Sequence, residues 1–299
     1  MWNPWLNRYA YLLAIATLLL VVAGASVTSN EAGLSVPDWP LSYGKLMPEM
    51  TGGIFYEHGH RMIATTVGFL SIFLAVWLWR VESRGWLKKL GLAALGAVIF
   101  QGLLGGLTVL YLLPKPVSIS HACLAQVFFS CTMAIALFTS KGWLHGAPEV
   151  EDSGGISLRS LAVGTPVVLL GQLALGAGYR HKAIGLIWHI LGAVIATGVV
   201  LFFAVSVLSY FQSHRPLRRT AVALLSITFA QVFLGVGAYM SRIATLEAPQ
   251  PMPLMVWFTV IHVAVGALTM GTAVLLGIQV LRYVRRPRLE VEARQMATT

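Results

Sequence analysis

Residues 117–140 read VSISHACLAQVFFSCTMAIALFTS, an uncharged run that is long enough to cross a membrane as one helix. Seven other uncharged runs of similar length occur along the chain. We therefore predict eight membrane-spanning helices, at residues 9–27, 62–79, 90–113, 117–140, 160–179, 183–211, 220–241 and 254–281. Because these runs leave little sequence for a soluble domain, the predicted fold class is an all-α, polytopic membrane protein.

The composition and the charge distribution favour the same class. The 299-residue chain is 57% hydrophobic and 11% charged, whereas soluble domains carry about 25% charged residues. Fifteen of the 21 lysines and arginines fall on one set of alternate loops, as is typical of cytoplasmic loops. We therefore predict that both termini are cytoplasmic, that the basic cluster at 282–288 faces anionic membrane lipids, and that nucleic acid is not a partner. No Arg- and Ser-rich organellar leader is found, so we expect a bacterial or archaeal plasma membrane.

Four histidines are the strongest functional signal. One lies near the start of each even-numbered run, namely His60, His121, His189 and His262. An imidazole is costly to bury in hydrocarbon, so an intramembrane histidine is a candidate functional residue. Four in matching positions indicate two pairs near the outer face, each able to hold a metal or a haem iron. A zinc site usually adds cysteine or carboxylate ligands, so the pattern favours haem held between two histidines.

The other histidines are predicted to have lesser roles. His58 points away from His60 on a helix and is expected to lie behind the site or at the membrane interface. His181 lies in a basic loop, and His145 and His214 are predicted to be solvated in cytoplasmic loops.

A repeated motif indicates an internal duplication. The pattern Gln-x-x-Leu-Gly occurs at 101–105, 172–176 and 231–235, in the third, fifth and seventh runs. The polar segment 146–157 separates two sets of four runs, and an even number of spans makes the sets parallel repeats. We predict two pseudo-symmetric four-helix bundles, at 1–145 and 158–285, joined by the cytoplasmic linker 146–157 and followed by a basic cytoplasmic tail at 286–299.

One carboxylate distinguishes the two halves. Glu57 lies three residues before His60, on the same helical face, whereas the residue three before His189 is Leu186. The outer loop 28–56 is partly apolar and is predicted to fold over this end as a lid that excludes water. Glu57 is thus a candidate for proton transfer, although the alternative is a surface glutamate favoured by a helix N-terminus.

Six basic residues oppose the inward charge bias, and five of them are candidate partners for haem propionates, which are anions at the membrane surface. The alternative for each is ordinary anchoring at the interface. The five candidates are Arg61, Lys115, Arg180, Lys182 and Arg242.

Four stretches resemble the haem A synthase family. They are GASVTSNEAGLSVPDWPLSYG at 24–44, EHGHR at 57–61, QGLLGGLTVL at 101–110 and HACLAQ at 121–126. The resemblance is strong in the first half. In the second half it rests on His189, His262 and the number of spans. Many family members have a cysteine pair in the first outer loop, and residues 28–56 contain none, which puts a thiol-dependent role of that loop in doubt.

The resemblance implies a specific activity. Members oxidise the C8 methyl of haem O to the formyl group of haem A, in two steps through an alcohol. The resemblance also implies that His60 and His121 hold the substrate haem O, that His189 and His262 hold a haem b cofactor, and that Glu57 is catalytic. The candidate partners are haem O synthase, cytochrome oxidase assembly proteins and a second copy of the chain.

Two competing hypotheses remain. They are a di-haem electron-transfer cytochrome and a haem carrier or assembly protein. The carrier would need the histidines but not Glu57.

Overall fold

The computed structural model describes residues 2–152 and 157–285, so the predicted tail 286–299 and residues 153–156 of the predicted linker lie outside the described residues. The elements in chain order are α1 Pro4–Ser29, α2 Gly52–Val81, α3 Gly85–Leu110, α4 Lys115–Thr139, α5 Lys141–His145, β1 Val150–Glu151, α6 Leu158–Arg180, α7 Leu186–Tyr210, α8 Arg215–Ala244, α9 Pro253–Tyr283 and β2 Val284–Arg285.

Eight of these helices are long and apolar enough to span a membrane, which confirms the predicted all-α polytopic class. Their ends differ from the uncharged runs. The helix α2 begins at Gly52, ten residues before the run at 62–79, because a helix continues through charged residues that interrupt a hydropathy pattern. Glu57 and Arg61 form an ion pair one turn apart inside this extension.

Each half of the chain packs around its own core. The helices α1, α2, α3 and α4 contact one another in a ring, as do α6, α7, α8 and α9. One buried cluster includes Leu13, Leu78 and Phe128 of the first half, and another includes Phe203, Leu224 and Leu276 of the second. The halves meet where α1 and α4 contact α9 and where α4 contacts α6. The pseudo-symmetry of the bundles and the domain limits remain predictions.

Part of the predicted linker packs against the residues that directly follow α9. The strand β1 pairs in parallel with β2, which directly follows α9, and Glu149 forms an ion pair with Arg285. His214 also contacts this region, since its Nε2 lies 3.1 Å from the Pro148 carbonyl oxygen. The prediction that His214 is solvated is therefore wrong, because it is only 6% exposed and caps α8. His145 is exposed, as predicted.

Candidate functional site

Each of the four histidines packs against a glycine of the preceding membrane helix. A Cβ atom added to Gly24 would lie 3.1 Å from His60 Cε1, and one on Gly105 would lie 3.3 Å from His121 Cε1. The corresponding distances are 2.9 Å for Gly176 and His189 and 3.0 Å for Gly235 and His262. The last three glycines end the three Gln-x-x-Leu-Gly motifs, so one purpose of the repeat is to make room for an imidazole.

The second histidine pair has the spacing of two ligands to one iron. The ring centroids of His189 and His262 are 6.4 Å apart, with an angle of 87° between the ring planes. A metal–imidazole bond of about 2 Å on each side, plus the half-width of each ring, accounts for this gap. His262 Nδ1 is buried without a hydrogen-bond partner. These features suit a haem iron bound between the two rings.

The first histidine pair has a similar character. His60 and His121 lie close enough to interact electrostatically, and the Nδ1 atom of each is buried without a hydrogen-bond partner. Within residues 2–152 and 157–285, no group of three or more His, Cys, Asp or Glu side chains could hold a metal ion. Two imidazoles without further ligands suit a haem, whose macrocycle supplies the other four bonds, better than a tetrahedral zinc.

The glutamines of the motifs also contact the histidines, a feature that sequence reasoning missed. Gln101 Nε2 donates to the His121 carbonyl oxygen at 2.9 Å, and Gln172 Nε2 donates to the His189 carbonyl oxygen at 3.0 Å. Gln231 Nε2 lies 3.4 Å from a ring nitrogen of His262. The constant spacing of four residues between glutamine and glycine was a signal that could have revealed these contacts.

Glu57 is buried, and both of its oxygens have partners. The residue is 4% exposed. Its Oε1 accepts from Arg61 Nη2 at 2.7 Å, and its Oε2 accepts from the Val36 backbone N–H at 2.9 Å. The alternative of an exposed surface glutamate is therefore wrong. Glu57 is also the single acidic residue in the eight described membrane helices, so a buried carboxylate is specific to the first half.

The loop between α1 and α2, which is predicted to face outward, folds over the first half, as the predicted lid requires. Val36 is fully buried, and a Cβ added to Gly106 would lie within 3.0 Å of three Trp39 ring atoms. Arg61 Nη1 donates to the carbonyl oxygens of Asp38 at 2.8 Å and Leu41 at 2.9 Å. The guanidinium thus joins the loop to both α2 and Glu57. Only part of the apolar surface of the loop packs against the helices. Four of its large apolar or aromatic residues are exposed, namely Leu34, Trp39, Leu41 and Tyr43.

Two further polar contacts order this loop. Asp38 accepts from the backbone N–H groups of Gly44 at 2.8 Å and Tyr43 at 2.7 Å. These hydrogen bonds, that of Gly44 foremost, hold the pKa of Asp38 below its ordinary value. His58 is 6% exposed, and its Nδ1 lies 2.8 Å from Ser42 Oγ. His58 therefore binds the loop rather than joining the histidine pair.

The candidate propionate residues differ in their surroundings. Arg61 already donates to the loop between α1 and α2, so it would have to share its N–H groups between its present acceptors and a propionate. Arg180 Nη2 donates to the Ala25 carbonyl oxygen and to Ser29 Oγ, both at 2.6 Å, which links α6 to α1. Arg242 lies over the Tyr179 ring at 5.3 Å from its centroid. Lys115 begins α4, and Lys182 lies in the loop after α6.

The loop histidine lies between the two halves. His181 follows α6 directly and lies close enough to His121 to interact with it electrostatically. Burial lowers the pKa of His181, and the neighbouring Arg180 cation lowers it further. Both effects favour the neutral form of the imidazole at the interface between the halves.

Gly176→Ala is expected to displace the His189 ring, because the new Cβ would lie 2.9 Å from its Cε1, closer than side chains pack. The optical spectrum of any haem bound by His189 should shift, and the haem should be lost more readily. Gly171→Ala on the same helix is the matched control, since no atom lies within 4 Å of its added Cβ. A spectrum that responds equally to both substitutions would argue against ligation by His189.

Comparisons with known proteins give a match to one family model and to several curated relatives. A family model described as "Cytochrome oxidase assembly protein" matches residues 49–188, a range that contains Glu57, His60 and His121. Over this region, which is just under half of its length, the chain is similar to that family of cytochrome oxidase assembly proteins.

Curated relatives narrow the class. The "Heme A synthase" of Symbiobacterium thermophilum is 33% identical over 169 residues, which are 55% of this chain and 55% of the relative. That match spans about half the length of the relative. Proteins of the same name from Alkalihalophilus pseudofirmus and Shouchella clausii are 25% and 24% identical, over 78% and 81% of this chain and 86% and 89% of theirs. Together with the family model, these relatives show that the chain is similar to proteins named haem A synthase.

Proposed function

We propose that this protein is a haem A synthase, which oxidises the C8 methyl of haem O to a formyl group in two successive steps through a hydroxymethyl intermediate. The observation that carries the proposal is the burial of Glu57, the single carboxylate of the described membrane helices, on the same helix as His60 and three residues before it. The family supported by the comparisons is consistent with this chemistry. The asymmetry between the halves favours one catalytic and one cofactor site.

The two histidine pairs have different roles in this proposal. His60 and His121 hold haem O as substrate, and His189 and His262 hold haem b. The haem b, when bound, supplies one-electron redox chemistry. The glycine contacts let each imidazole lie close to the preceding helix, which fixes the direction from which it approaches an iron. The five basic residues at the outer face are proposed to bind propionates.

Glu57 is proposed to be the catalytic carboxylate. Each of the two oxidation steps passes two electrons to an external electron acceptor, and loss of a hydride equivalent from the methyl group leaves an electron-poor carbon attached to an aromatic ring. A nearby carboxylate would stabilise such a carbon electrostatically, or would take a proton from the water that adds in the first step and from the hydroxymethyl group that is oxidised in the second. The Val36 N–H and Arg61 hold the Glu57 oxygens at 2.9 Å and 2.7 Å, so the group is oriented before substrate binds. The folded outer loop limits the access of water.

The membrane topology follows from the charge bias and the even number of spans. We propose that both termini face the cytoplasm of a bacterial or archaeal cell, and that both haem sites lie toward the outer face. Haem O synthase and cytochrome oxidase assembly proteins remain candidate partners for supply and delivery. Haem sites at one depth disfavour a di-haem electron wire across the membrane.

A haem carrier is the second candidate function, and one observation favours it. Both Glu57 oxygens are engaged by Arg61 and by the outer loop, so Glu57 could serve only to fasten the lid over a carried haem. Expression with a haem O synthase in a host that makes no haem A separates the two functions. A synthase leads to accumulation of haem A, whereas a carrier leaves haem O unchanged.

Arg61→Leu is expected to loosen the outer loop, because it removes charge-assisted hydrogen bonds to Asp38, Leu41 and Glu57. Each is worth about 1.5–3 kcal/mol. Limited proteolysis should cut residues 37–51 faster in this variant, and bound haem should be retained less well. Arg80→Leu, at the other end of α2, is the control. Equal cleavage of the loop in both variants would contradict the role of Arg61.

A further inference from the structure

We propose that Gln172 and Gln231 are positioning residues that hydrogen-bond the histidine ligands of haem b and strengthen them, and that Leu20, in the equivalent place of α1, leaves His60 the weaker ligand. This inference rests on the proposed function. It explains how one chain could retain one haem as a cofactor and release another as a product.

The amide groups of the second half contact both histidine rings. Gln172 Nε2 lies 3.0 Å from His189 Nδ1, and Gln231 Nε2 lies 3.4 Å from His262 Nε2. A glycine makes room for each amide one turn beyond the histidine. A Cβ on Gly192 would collide with Gln172 Oε1, and one on Gly266 would lie 3.1 Å from Gln231 Nε2. Two such cradles indicate that the glutamines are built into the site.

Each of these glutamines also has a side-chain oxygen that accepts no hydrogen bond. The Oε1 atoms of Gln172 and Gln231 are buried without a hydrogen-bond partner. When one imidazole nitrogen binds iron, the other carries a proton and needs an acceptor. Rotation about the last side-chain bond exchanges the amide oxygen and nitrogen, and contacts decide which of them faces the ring. On haem binding each amide would turn its oxygen toward the imidazole N–H, and Gln172 would give up the hydrogen bond from its Nε2 to the His189 carbonyl oxygen.

The first half lacks these ring contacts. Gln101 donates to the His121 backbone carbonyl, and the His121 Nδ1 stays without a partner. Gly24 contacts His60 in the same way that the motif glycines contact their histidines, but the residue four positions before Gly24 is Leu20 rather than glutamine. No amide of that helix is thus offered to His60.

The chemical consequence is a difference in ligand strength. An acceptor on the second ring nitrogen raises the basicity of the ligating nitrogen and fixes the ring orientation. A more basic ligand favours ferric over ferrous iron, so it lowers the reduction potential. The haem of the second half is then held firmly. The haem of the first half is held loosely enough to exchange, because the His60 ring has a backbone contact with Leu20 but no side-chain amide beside it.

Redox titration of the full-length protein purified with its haem tests this inference. We expect Gln172→Leu and Gln231→Leu to weaken haem b retention about 10- to 100-fold and to raise its midpoint potential. A tenfold loss confined to the ferric state corresponds to about 59 mV. Gln279→Leu is the matched control, because Gln279 is a buried glutamine on α9 that lies roughly 25 Å along the helix from His262.

Two further variants separate hydrogen bonding from packing. Gln172→Glu keeps the length and an acceptor oxygen, so it should restore retention and bring the potential back down. Leu20→Gln should slow the loss of haem from the first half. If haem b is present but its potential and retention are the same in both leucine variants as in the wild type, or if Gln172→Glu restores neither, the inference is overturned and the proposed function stands. If the wild-type protein binds no haem b, both the inference about the glutamines and the proposed function are wrong.

Discussion

Glu57→Gln should nearly abolish haem A formation while haem O still binds. Glutamine keeps the length of the side chain and can still accept from the Val36 N–H, but it carries no charge and cannot accept a proton. General acid–base catalysis contributes roughly 100- to 10,000-fold, so the loss should be evident when haems are extracted from cells and identified by mass. His60 and His121 are unchanged in this variant, and haem O should therefore accumulate on the protein.

Glu82→Gln is the control for that experiment. Glu82 also pairs with an arginine, since its Oε2 lies 2.7 Å from Arg84 Nη2, and it directly follows α2 at the opposite end from Glu57. Hydrogen bonds from the Arg84 side chain, and after them the hydrogen bond from the Arg84 backbone N–H, lower the pKa of Glu82 to about 2. If the Glu57→Gln variant converts haem O at the wild-type rate, Glu57 is not catalytic, and the haem carrier becomes the favoured function.

His189→Ala and His262→Ala should each destroy the low-spin haem b of the second half. Removal of one imidazole would leave the iron a single protein ligand, and among the described residues no third His, Cys, Asp or Glu side chain is grouped with the pair to replace it. Reduced optical spectra of the purified variants should lose the bis-histidine signal. His145→Ala, at an exposed position, should leave the spectrum intact.

The spectra also test whether haem b is bound by the second half rather than by the first. His60→Ala should leave the haem b signal in place, because that signal is assigned to the second half. A haem b spectrum that is unchanged in both His189→Ala and His262→Ala would show that haem b is bound elsewhere.

The membrane fold was predictable because about twenty consecutive apolar residues have few alternatives to a spanning helix. The residue at which α2 begins was harder to predict. Hydropathy ends at Met62, but backbone hydrogen bonding continues outward to Gly52 and brings Glu57 into the helix. His214 was misjudged for a related reason. It follows a membrane helix in a short loop, yet the linker packs over it and its ring accepts from the Leu217 N–H at 3.4 Å.

The site was predictable in its residues but not in its contacts. The matching positions of the histidines in the even-numbered runs indicated two pairs, and in the structure the two members of each pair lie near each other. Repetition gives the position of Gln172 and Gln231 but not their partners, because partners depend on how neighbouring helices are rotated. Arg61 was selected for its charge beside His60. That its guanidinium faces the outer loop depends on the path of residues 30–51, which a sequence pattern does not specify.

Incubation of the purified protein with haem O, an electron acceptor and an oxygen source, followed by extraction and mass identification of the haems, tests the central claim most directly. The proposed function predicts a hydroxymethyl product first and haem A afterwards, with haem b unchanged throughout. Haem O that remains bound but unmodified, under conditions in which a haem A synthase relative converts it, would contradict the account.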